Sequence, residues 1–106
     1  MIEMSNASDK IPELYETENI PFDEKIIYRR YQLEELGYYW LIAELYKKSN
    51  IAFGYANLNN DDFAEWGYIS IDELELCEAE LDEGWKPCKF REAMKKIKEE
   101  KEKSAR

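Results

Sequence analysis

Tyr38-Tyr-Trp-Leu-Ile-Ala-Glu-Leu-Tyr-Lys47 is the most apolar stretch of the chain, and its reading decides the fold. Ten residues suit either a short helix or a strand, and Ala, Glu and Leu are good helix formers. The ring density, with Tyr38, Tyr39, Trp40 and Tyr46 in one segment, favours the strand. At a period of two, Tyr39, Leu41, Ala43 and Leu45 share one face, and Tyr38, Trp40, Ile42, Glu44 and Tyr46 share the other. Two apolar faces describe a central strand covered on both sides.

Working outward, Lys25-Ile-Ile-Tyr-Arg-Arg-Tyr-Gln32 is β-branched and aromatic and reads as a preceding strand, joined through Leu33–Gly37 with Gly37 at positive φ. On the other side, Lys48–Asn50 is a hairpin-like turn into Ile51-Ala-Phe-Gly-Tyr-Ala-Asn57. Here Ile51, Phe53 and Tyr55 alternate with Ala52, Gly54 and Ala56, a small-residue face that lets another element approach. Asn57–Asp62 is a polar loop and Trp66–Ile69 a short fourth strand. Ser70-Ile-Asp-Glu73 is a capping box, so a helix is expected over 71–81, with Leu74, Cys77 and Leu81 on one stripe and Gly84 ending it. Phe90, Ala93, Met94 and Ile97 predict a second helix over 89–99.

At the start, residues 1–10 are polar and read as a flexible lead. Ile11–Pro21 carries proline at both ends of a turn-rich segment, with Leu14, Tyr15 and Ile20 set to lie across the core as a strap. The expected fold is therefore α+β: an antiparallel sheet of about four strands packed with two helices, the second C-terminal. One domain is expected over 11–99, followed by a solvated, charge-rich end over 100–106.

Charge narrows the function. Across 106 residues, 24 acids face 15 bases, a net charge of −9, and there is no histidine. Residues 1–90 carry a net −12 and residues 91–106 a net +3. Between Lys48 and Lys86 stand ten acids and no base. Such a block repels phosphate backbones and attracts basic surfaces, so direct nucleic-acid binding is not expected. The plainer reading is that the acidity serves solubility. No apolar run reaches membrane-spanning length, and the first residues lack a signal-peptide pattern, so a cytoplasmic location is expected.

Chemistry is sparse. Cys77 and Cys88 read as free thiols, Cys77 in the core and Cys88 partly exposed, and without histidine they cannot complete a zinc site. The four glycines are too scattered to cradle a phosphate. Asn59-Asn-Asp-Asp62 with Glu65 offers oxygens to a cation but lacks the spacing of a calcium loop. No catalytic residues, cofactor or metal are expected, and the chain reads as non-enzymatic. Aromatics beside acids, without bases, point to protein: Asp61, Asp62, Glu65, Asp72 and Glu75, with Trp66 and Tyr68, are the expected protein-binding residues. Uncovered sheet edges leave room for a homo-oligomer.

The order of Ile11-Pro-Glu-Leu-Tyr-Glu-Thr-Glu-Asn-Ile-Pro21, the Tyr39-Trp40 strand, Phe53-Gly-Tyr55 and Gly67-Tyr-Ile-Ser-Ile-Asp-Glu-Leu-Glu75 resembles a family known as domain of unknown function 2958. The likeness spans about residues 11–90. It implies a small compact domain often carried by plasmids, phages and similar elements, and it implies no activity. Joined to the acidity, it suggests as partner a nucleic-acid-processing effector, the chain acting as an anti-CRISPR or anti-restriction inhibitor that mimics DNA. The alternatives are a structural or regulatory domain whose acidity serves only solubility, and a small-ligand binder.

Overall fold

A computed structural model describes residues 10–104. Its centre is an antiparallel sheet. Strands β1 (Ile26–Ile27), β2 (Arg29–Leu33), β3 (Tyr38–Tyr46), β4 (Ile51–Leu58) and β5 (Glu65–Ser70) are followed by helix α1 (Ile71–Leu76). Strands β6 (Glu80–Leu81) and β7 (Cys88–Lys89) and helix α2 (Phe90–Ser104) complete the order. The main sheet runs β5-β4-β3-β2-β6, and β1 pairs separately with β7. The α+β architecture expected from the sequence is present, with a fifth strand from Glu80–Leu81 and the small β1–β7 ladder added. The expected first strand is interrupted at Tyr28, whose N–H turns to the Ile42 carbonyl at 2.9 Å.

The apolar decapeptide forms the central strand, covered on both sides. Its front face packs under α2, where Tyr39, Leu41 and Ala43 meet Phe90, Ala93 and Ile97. The back face, under α1 and the chain that follows it, holds Ile42, Leu45, Ala52, Ile69, Ile71 and Leu74. Leu45 thus lies opposite the face that simple alternation assigns it. Ala43 is a bulge: Ile42 pairs with Gly54 and Glu44 with Phe53, so one residue is extra and the phase flips. Glu44 consequently faces front with Phe53 and Tyr68. Gly54 sits opposite this bulge, where a Cβ would come 2.0 Å from the Leu41 carbonyl oxygen. The close approach that the small-residue face allows is therefore made at Gly54 by the neighbouring strand. Gly37 takes φ +73 at the β2–β3 turn, as expected.

Helix α1 begins as predicted, with Ser70 Oγ accepting from Glu73 N at 3.2 Å. It ends after one and a half turns, well short of Leu81. Glu78 adopts φ +64, and Ala79 N donates to the Leu74 carbonyl at 2.9 Å, a left-handed stop usually given to glycine. Gly84 plays no part in it. Cys77, turned out beyond the helix, is exposed and not in the core, whereas Cys88 is half-buried. Leu81 lies exposed on β6.

Helix α2 continues past the expected 99 through 104, its Lys- and Glu-rich turns being good helix formers. The region read as a solvated end is used: Glu100 and Asp82 both pair with the buried Arg30, at 2.8 and 2.7 Å, fastening α2 and the back crossover to β2. Trp85 donates to the Ile27 carbonyl at 3.1 Å, with Arg30 and Lys96 over its ring.

The strap also differs from expectation. Ile11 and Thr17 are its buried residues, while Tyr15 and Ile20 stand open. Pro12 O accepts from Leu45 N at 2.8 Å where β3 has run past β2, so the chain crosses there from back to front. The flexible lead predicted over 1–10 lies, but for Lys10, outside the described residues.

Candidate functional site

The seven expected binding residues fall in three places. Asp61 and Asp62 lie in the β4–β5 loop, which is organised from within. The fully buried Asn57 accepts from Asn60 N at 2.9 Å and donates to Asp61 Oδ1 at 2.8 Å and to the Tyr39 hydroxyl at 3.2 Å. Asp62 N donates to Asn60 Oδ1 at 3.0 Å. Among the described residues no acidic group of three or more could hold a metal ion. Glu65, Trp66 and Tyr68 lie on the edge strand β5, Glu65 directed to the back and the two rings to the front. Trp66 is packing: its ring stacks on Phe22 at 4.8 Å and meets Phe90 at 4.9 Å. Asp72 and Glu75 lie on α1, at the other end of β5 from that loop, the strand between them being roughly 17 Å long at ~3.4 Å per residue. The structure does not gather the seven into one surface.

It does gather others. The chain from Asp72 to Glu83 crosses the back from the β5 edge to β6 at the opposite edge. It holds Asp72, Glu73, Glu75, Glu78, Glu80, Asp82 and Glu83 and no base. Apart from Asp82, held by Arg30, these acids are exposed, and Leu76 among them is 82% exposed. Asp72 and Glu75 belong to this band. Leu76 was overlooked because it was counted into a longer helix.

On the front, beside the start of α2, a second arrangement escaped the sequence reading. The Glu44 carboxylate, 3% exposed, accepts from Tyr15 N at 2.8 Å, Thr17 N at 3.0 Å and Thr17 Oγ1. Lys25, 4% exposed, donates through Nζ to the Thr17 carbonyl and to Thr17 Oγ1 at 2.8 Å. Thr17 thus stands between a buried cation and a buried anion. Tyr15 is held at φ +72, its hydroxyl 2.7 Å from that of Tyr68. That hydrogen bond is the chief cause pushing the Tyr68 pKa up, with burial and the charges of Glu44 and Glu18 adding to it. Tyr39 and Tyr55, under α2, are raised instead mainly by burial. Burial likewise pushes the Cys88 thiol up, with Lys96 opposing. The signal for Glu44 was present: it is the one acid in the most apolar stretch of the chain.

No protein-family model, no curated protein and no solved structure matches the chain. Among the described residues no helix is long and apolar enough to cross a membrane.

Proposed function

We propose that the chain is a non-enzymatic protein-binding domain that engages a basic partner through its back crossover. The observation that carries this reading is the crossover from Asp72 to Glu83: six exposed acids, with Asp82 held by Arg30, running from the β5 edge to the β6 edge around the exposed Leu76. Like charges held this close raise the local potential and speed encounter with a positive surface. Leu76 and Leu81 then supply apolar area to bury on docking. Of the residues first expected, Asp72 and Glu75 remain in this surface. Asp61, Asp62, Glu65 and Tyr68 are peripheral to it, and Trp66 is structural.

In its sharpest form the partner is a nucleic-acid-processing effector, and the band occupies the groove that binds phosphates. The mobile-element carriage of the family that the chain resembles favours this anti-CRISPR or anti-restriction form. The test is capture of purified restriction and CRISPR effectors across a salt series. A variant carrying Glu75→Lys, Glu78→Lys and Glu80→Lys, which keeps Asp72 and Glu73 at the helix start, runs beside Leu76→Ser. An effector held by the native chain at low salt, released by duplex DNA and lost by both variants supports the proposal. Equal capture by native and lysine forms at every salt concentration assigns the acidity to solubility and ends it.

A further inference from the structure

Four of the large apolar side chains left open to solvent converge on one place. Tyr15, Ile20, Phe22 and Tyr68 line a cavity of about 470 Å³ between the strap and the front of the sheet. Phe53 forms a further wall, its ring 6.5 Å from Phe22 and 5.9 Å from Tyr68. Volume and lining suit a small molecule with an apolar body.

Lys25 and Glu44, two of the three buried charged side chains among the described residues, also line this cavity. Their situations differ. Both oxygens of Glu44 are engaged by the strap. Lys25 carries three N–H donors, and Thr17 takes two of them with neutral oxygens. Among the described residues no carboxylate lies within 4.0 Å of Lys25 Nζ. The Glu44 carboxylate reaches it only through Thr17 Oγ1, and the Phe22 ring lies 5.7 Å away. An ammonium buried to this degree is costly unless an anion pairs with it. A third donor, an adjoining cavity and an apolar wall together define what would complete it.

We propose that this cavity binds a small amphipathic carboxylate. The apolar body lies along Phe22, Phe53 and Tyr68, and the carboxylate head accepts the remaining N–H of Lys25. Glu18 at the lining sets a second condition: it repels a further acidic group, so the ligand carries one acid. This site is independent of the acidic crossover, which lies on the opposite face.

The test titrates the full ¹⁵N-labelled chain with three probes of one body and different heads: 3-phenylpropionate, 3-phenylpropanamide and 3-phenylpropylamine. Amide shifts confined to Thr17–Lys25, Glu44, Phe53 and Tyr68 are expected. The carboxylate should bind about tenfold tighter than the amide, as one charge-assisted contact requires. Lys25→Met should abolish that preference, so that the carboxylate binds no tighter than the amide. Equal binding of all three probes, preference for the amine, shifts elsewhere, or no shifts up to about 10 mM probe would each overturn the proposal, 10 mM being weak even for a fragment. If Lys25→Met does not fold, the three heads on the native chain decide alone.

Discussion

The front of the sheet is closed in two different ways. Under α2 the contacts are apolar, Tyr39, Leu41 and Tyr55 against Phe90, Ala93 and Ile97. Under the strap they are hydrogen bonds from two buried charges to neutral groups, built on Glu44, Thr17 and Lys25. The covering backbone accounts for the difference. A helix satisfies its own peptide groups and needs only apolar area beneath it. An irregular segment brings free N–H groups that must find acceptors when buried. The sheet supplies one at Glu44, which receives the N–H groups of both Tyr15 and Thr17. A covering segment without secondary structure thus calls for polarity in the strand below it, and imperfect closure there leaves the cavity.

The largest expected effect lies under α2. Leu41 is fully buried, so Leu41→Ala should cost ~2–5 kcal/mol and lower the melting temperature by about 10 °C or more. A smaller, local loss is expected from Glu44→Gln. Weakening the strap's acceptors should cost ~1–3 kcal/mol and raise cleavage at Glu13, Glu16 and Glu18 by a glutamate-specific protease, with little change in melting. If it lowered melting as far as Leu41→Ala, the two halves would be one cooperative unit and the contrast between them would fail.

The smallest effect is spectroscopic. Removing a hydroxyl by Tyr15→Phe should return the Tyr68 titration towards 10.0 while Tyr39 and Tyr55 stay raised, because a hydrogen bond acts mainly on the first and burial on the others. The sign for stability follows from the folded pKa values of Tyr39 and Tyr55 lying above the unfolded one. Their contribution is whole below about pH 10 and is lost as pH rises through the folded values. Alkaline loosening should therefore involve the α2 half, visible as ultraviolet tyrosinate absorbance rising together with loss of structure.

Much of the fold was legible in local pattern. Alternation in Ile51–Asn57, rings in Tyr38–Tyr46 and the Ser70 cap are short-range signals, and each produced its element. Failures came where one residue broke a local rule. Ala43 reverses the alternation, so Glu44 was assigned to the wrong face. Glu78 fills a left-handed position that a glycine would have advertised, so α1 was drawn too long. The acidic band was visible as composition, but its path across the back depended on knowing where α1 stops. The strap site was hidden for another reason: Thr17 and Glu44 are 27 residues apart, and nothing local to either names the other.

The shared carboxylate also sets how the strap can move. Two backbone amides and one hydroxyl converge on Glu44, and the same threonine holds Lys25. These bonds cannot fray singly, since displacing Thr17 releases both charged partners together. Residues 15–25 should therefore open as one unit, with the amides of Tyr15 and Thr17 exchanging with solvent through the same event. A segment with no regular structure acquires in this way the all-or-none behaviour of a folded element.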